Sequence, residues 1–173
     1  LDAVCLAPAD DAVDQRPAVL VVENTHNVAG GRVWPLEELD AVVATARKAG
    51  VSTHMDGARM MNAAVALGVA PAEVGSRVDT VTLCLSKGLG CPLGALLAGP
   101  AELLEVAWRE KFLFGGAMRQ AGIVAAAALY ALDNHVERLA VDHERARRLA
   151  HGWHAARLPA RVARPRRRPG RAR

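Results

Sequence analysis

Three apolar runs in this chain each stop abruptly at a polar cluster. Residues 18–22 lead into Glu23-Asn24-Thr25-His26-Asn27, residues 51–55 into Asp56-Gly57-Ala58-Arg59, and residues 78–85 into Ser86-Lys87-Gly88. Runs of this length, rich in β-branched residues, read as buried strands that deliver polar groups at their carboxyl ends. Helical spacing fills the intervals. Pro35 suits the first turn of a helix over 36–49, Glu37 and Glu38 favour its positive end, and Gly50 stops it. The same reading predicts a helix over 58–67, a short strand over 92–98 and a helix over 101–112. Such alternation implies an α/β fold with a mainly parallel sheet and helices on both faces.

The last third departs from the alternation. From Met118 to about Trp153 the pattern is helical, with Asp133-Asn134 as the break. Residues 121–132 are almost wholly apolar, which predicts burial against the sheet or against another subunit. Residues 135–150 are amphipathic, with Val136, Leu139 and Leu149 set among charges.

Two of the strand ends carry groups that belong together chemically. Asp56 and Lys87 arriving at one crevice suit pyridoxal 5′-phosphate, which needs an amine to hold it and a carboxylate to keep its ring nitrogen protonated. A free lysine, with a pKa of about 10.4, is a poor nucleophile, and burial at a strand end beside a cation lowers that value. Without its neighbours, Lys87 would read as a solvated surface residue. Asp56 would read as the N-cap of a helix over 57–67. Lys48 and Lys111 are the other lysines, and neither follows a buried strand into a glycine-rich turn. Arg59 faces the same side as Asp56 if the helix starts there. Gly115-Gly116 ahead of Arg119, near a helix start, makes an anion-binding geometry. His54 is expected to point into the packing, off the active face.

The clusters also occur in a telling order. Glu23-Asn24-Thr25-His26-Asn27 is followed by His54-x-Asp56-Gly57-Ala58-Arg59 with Asn62-Ala63. Leu85-Ser86-Lys87-Gly88-Leu89-Gly90 and Gly115-Gly116-Ala117-Met118-Arg119-Gln120-Ala121-Gly122 come after. The series resembles the low-specificity L-threonine aldolases, in the β-eliminating-lyase branch of fold-type I pyridoxal phosphate enzymes, over about residues 19–132. The resemblance implies the large domain of a fold-type I transferase, incomplete at both ends. It implies cleavage of L-threonine or L-allo-threonine to glycine and acetaldehyde. Lys87 would bear the cofactor, Asp56 would face the ring nitrogen, and Arg59 would contact cofactor or substrate. Ser86 and Arg119 would reach the phosphate, Arg119 from a neighbouring subunit, while Asn24, Thr25 and His26 would line the ring. Lys87, Asp56, Arg59 and His26 form the implied catalytic set, with no metal. The substrate would be a small β-hydroxy amino acid, and the assembly a homo-oligomer, dimer or tetramer. Competing readings are β-elimination or transamination on the same fold, and an inactive remnant. The motif departs from the family pattern at Ala117, where a third glycine is usual.

On this reading the chain divides into a partial cofactor-binding domain over 1–134, a helix over 135–156 leading toward a small domain, and a tail over 157–173. No glycine-rich phosphate turn precedes residue 19, and the family's ring-stacking histidine and substrate-gripping C-terminal arginine have no counterpart. The expectation is therefore an internal fragment with impaired cofactor binding and turnover.

Charge sharpens the division. The net charge of +4 comes from the tail, where residues 157–173 hold eight arginines and no acid, while the rest carries −4. Such a block, interrupted by prolines, is expected to be disordered. A nucleic-acid or membrane arm is its functional reading and ranks second, so neither partner is expected. Cys5, Cys84 and Cys91 lack CxxC spacing and read as reduced thiols without zinc. No apolar run reaches membrane-spanning length, and a cytoplasmic protein is expected.

Overall fold

Val19–Glu23 (β1), Ser52–Asp56 (β2), Thr80–Cys84 (β3) and Ala95–Ala98 (β4) form one sheet, in that order, in a computed structural model describing residues 17–156. β1 pairs with β2 and β2 with β3 in parallel; β4 runs antiparallel to β3. The helices are Leu36–Lys48 (α1), Met60–Leu67 (α2), Pro71–Gly75 (α3), Ala101–Leu113 (α4), Ala121–Asn134 (α5) and Leu139–Ala155 (α6). α3 is the element that patterning missed. It is one short turn, begun by Pro71 and by Glu73 Oε1 accepting the Ala70 amide at 2.9 Å, and too brief for periodicity to register.

Alternation along the strands sorts the core. Val22, Met55 and Leu83 are buried on one face, where Leu39 and Val43 of α1, Met60 and Ala64 of α2 and Val74 of α3 complete the cluster. On the opposite face Val19 and Val21 are exposed, as is β4 throughout. Helices therefore cover β1 on one face among the described residues, against the expectation of two. The apolar stretch of α5 is buried only at Ala128 and Ala131. Ile123, Leu129 and Tyr130 are exposed, because the alanine stripe is the part that meets the core. α4 buries no residue at all.

The chain separates into two compact units, residues 1–140 and 141–173. The described part of the second is the remainder of α6, laced by Asp142–Arg145 at 3.7 Å and Glu144–Arg147 at 3.0 Å. Such pairs contribute a few tenths of a kcal/mol each. The tail and Cys5 lie outside the described residues.

At the amino end of the sheet, a carboxylate ties β3 to β2. Asp79 Oδ2 accepts from the Thr53 amide at 2.7 Å and from Thr53 Oγ1 at 2.9 Å. These two bonds hold the Asp79 carboxyl below its ordinary 3.8, with help from Arg47 and some opposition from burial. A depressed acid contributes stability that is complete above its unfolded pKa and is lost as pH falls through the folded one. Thr53→Val is thus expected to lower stability near pH 7 by about 1–2 kcal/mol, discounted because Asp79 is partly exposed. Urea melts of both proteins should draw closer as the pH drops below 3.8, leaving the share of the Asp79 amide, which donates to Thr53 Oγ1 at 3.0 Å at any pH. An unchanged gap at low pH would assign the loss to packing.

Candidate active site

Asp56 closes β2 in register with Glu23 at the end of β1, and Thr82 of β3 lies in register on its other side. The period of two places His54 on the same sheet face as Asp56 and sends Met55, fully buried, into the core. His54 does not point away from the active face as expected. Its Nδ1 lies 2.8 Å from Thr80 Oγ1 on the neighbouring strand.

Asp56 is not a helix cap. α2 starts at Met60 with Arg59 in the N-cap position. Asp56 Oδ1 instead accepts from the Ala58 amide at 3.0 Å, an Asx turn that bends the chain as soon as the strand ends. Gly57 makes the bend possible. A Cβ there would fall 2.6 Å from the Thr82 carbonyl oxygen and 2.8 Å from Val81 Cγ2. The second Asp56 oxygen carries no hydrogen bond among the described residues.

The same turn sends Arg59 toward β1 instead of Asp56. Its Nη1 lies 3.9 Å from Glu23 Oε1, which also accepts from the Asn27 amide at 3.0 Å. Glu23 Oε2 is 3.7 Å from His26 Nε2. His26 Nδ1 accepts from the Ala29 amide at 3.0 Å, so in neutral His26 the proton sits on Nε2, facing Glu23. Gly30 and Gly31, both at positive φ, close this loop and return Gly31 N to the His26 carbonyl. Glu23 is the group that sequence reasoning passed over. Its place as the last residue of a strand, ahead of an amide and a histidine, was the available signal.

Asn24 and Thr25 are buried beneath this surface. The Asn24 amide donates to the Asp56 carbonyl at 3.0 Å. Its Oδ1 accepts from Trp34 N at 3.4 Å, and its buried Nδ2 has no partner among the described residues.

Lys87 sits in the turn after β3. Leu85 and Leu89 are buried on either side, which turns Ser86 and Lys87 outward into exposure. The expected burial of the lysine is therefore not found. Ser86 Oγ lies 3.3 Å from Cys84 Sγ. The Ser86 hydroxyl holds the Cys84 thiol below its ordinary range; the Ser86 amide and the charges of Lys87 and Arg59 assist, and burial opposes. Both cations thus act electrostatically on one thiol. The carboxyl edge of β1, β2 and β3 gathers Glu23, Asn24, His26, Asp56, Arg59, Cys84, Ser86 and Lys87. Arg119 is exposed in the connection from α4 to α5 and makes no bond or ion pair with this group among the described residues. There too, no cluster of His, Cys, Asp or Glu could hold a metal ion, and no helix is long and apolar enough to cross a membrane.

Sequence comparison agrees with this arrangement. The low specificity L-threonine aldolase of Escherichia coli K12 is 45% identical over 137 residues, 79% of this chain and 40% of that protein. Low-specificity L-threonine aldolase 1 of Arabidopsis thaliana is 42% identical over 78% of this chain and 37% of its own length. The chain spans less than half the length of these curated relatives. Among solved structures, an Exiguobacterium protein provisionally described as an aromatic amino acid beta-eliminating lyase/threonine aldolase superposes with a TM-score of 0.76 at 28% identity. That match covers 82% of this chain and 40% of that one. Leishmania major threonine aldolase shares the fold at a TM-score of 0.61 and 21% identity, over 80% of this chain and 41% of that one. The sheet and its helices are those of the large domain of fold-type I enzymes. The family described as beta-eliminating lyase matches residues 4–168, nearly the whole sequence, and the chain belongs to it.

Proposed function

We propose that this chain carries the cofactor-holding part of a pyridoxal phosphate-dependent lyase that cleaves L-threonine or L-allo-threonine to glycine and acetaldehyde. The observation that supports this most is the delivery of Asp56 and the Ser86-Lys87 turn to one sheet edge by adjacent parallel strands. The donor set fits the cofactor. Lys87 offers an exposed amine, and among the described residues Asp56 keeps one carboxylate oxygen free of partners and Asn24 Nδ2 is a buried donor left unpaired. When bound, pyridoxal phosphate withdraws electrons from the α-carbon of an amino acid, so that the Cα–Cβ bond can break.

The chain's own residues divide the remaining work. Lys87 holds the cofactor through its amine, and Asp56 keeps a proton on the ring nitrogen, each pKa unit of that bias being worth about 1.4 kcal/mol. Arg59, anchored by Glu23, supplies positive charge for the substrate carboxylate. Ser86 offers its hydroxyl to the phosphate, and Arg119 joins it in an assembled homo-oligomer. His26 has its Nδ1 lone pair committed to Ala29, so it acts here as an Nε2–H donor. Thr25 is buried behind it and shapes the loop. A cytoplasmic amino-acid lyase is the setting that suits these parts.

The test is a threonine assay on the chain supplied with pyridoxal phosphate. Glycine and acetaldehyde in equal amounts are the expected products. 2-Oxobutanoate with ammonia in their place would assign β-elimination, a β-hydroxy keto acid would assign transamination, and no product with a bound cofactor would mark an inactive remnant.

A further inference from the structure

The turn that carries Lys87 is gripped from behind. His135, the residue that ends α5, has its Nδ1 2.6 Å from the Leu89 carbonyl oxygen. A carbonyl can only accept, so the ring proton is on Nδ1 and the bond has one direction. Tyr130, just over one helical turn earlier, meets the imidazole edge to face with centroids 5.5 Å apart. A Cβ on Gly90 would lie 3.7 Å from the ring, in ordinary contact. The grip continues around the turn. A Cβ on Gly88 would fall 2.8 Å from Cδ2 of the fully buried Leu139 and 3.4 Å from Asn62 Oδ1. Gly90 N returns to the Lys87 carbonyl at 2.9 Å, and Cys91 N to the Leu85 carbonyl at 3.1 Å. Lys87 itself is exposed. Among the described residues its side chain makes no hydrogen bond or ion pair, so its position is set by its backbone.

We infer that His135 is a positioning residue for Lys87: by holding the Leu89 carbonyl it fixes the turn from which the cofactor-bearing amine projects. The inference rests on the reading of Lys87 given above. A lysine placed by its backbone loses effective concentration toward a docked aldehyde when the turn can drift. The loss should be about two- to tenfold, the range that one net hydrogen bond supplies. Asparagine is the informative replacement, because its Nδ2 donor occupies the place of the histidine Nδ1, whereas alanine removes the donor.

The experiment uses the whole chain, wild type, His135→Ala and His135→Asn, treated with pyridoxal phosphate and borohydride. Labelling of Lys87 is measured by peptide mass relative to Lys48 and Lys111, and amide exchange is followed at residues 88–91. The wild type should label Lys87 preferentially. His135→Ala should speed exchange across the turn and cut the Lys87 preference two- to tenfold, and His135→Asn should restore most of it. Faster exchange with unchanged labelling would make His135 a structural residue only and overturn the inference, as would no change in either. A wild type that does not favour Lys87 would instead sink the cofactor reading, and the inference with it. That failure is read from the wild type alone, so the two are distinguishable.

Discussion

Lys87→Ala is expected to abolish both the visible absorbance band that appears on adding pyridoxal phosphate and the borohydride-fixed label. Lys48→Ala and Lys111→Ala should leave both intact. The three lysines differ in what surrounds them. Lys48 ends α1 on an exposed surface, and Lys111 Nζ lies 4.6 Å over the Trp108 ring. Lys87 alone follows a strand of the sheet, at the edge that also receives Asp56. Peptide mapping after reduction is the decisive measurement. Label on Lys48 or Lys111 with Lys87 spared would refute the assignment.

Asp56→Ala should lower turnover on the order of a hundredfold to a thousandfold, the usual cost of removing one preorganised charge from a reacting centre. Stability should fall by no more than the one side-chain hydrogen bond removed. A cap would put that substitution at about 0.5–2 kcal/mol, but Arg59 occupies the N-cap position, and the Asp56 side chain makes one bond among the described residues, to Ala58 N. That bond accounts for about 0.5–1.5 kcal/mol. Thermal melts run beside the glycine assay separate the two roles. A variant with a depressed melting temperature and near-normal turnover would return Asp56 to structural duty.

The parallel core of the fold was legible because its strands are apolar runs that end at polar clusters, and the sheet puts those clusters on one edge. What escaped the sequence follows from geometry that a linear pattern does not hold. A cap was the alternative for Asp56 because helical spacing alone starts the helix at Gly57; the Asx turn at Ala58 and the contact of Gly57 with β3 push the first helical residue to Met60. Arg59 then pairs with Glu23, a contact across two strands with no sequence proximity. His54 was placed on the wrong face through a miscount of alternation, which the sequence could have settled. His135 gave no signal at all, since its partner is a backbone carbonyl forty-six positions away.

α4 has thirteen residues and buries none of them. A peptide of that length is marginal as a helix in water without tertiary support. Its amides should therefore exchange early, well before those of α1, whose Leu39 and Val43 are locked in the core. Whatever surface comes to rest on Trp108 and Phe112 will slow that exchange. α4 thus serves as a built-in reporter of contact, readable without any assay of catalysis.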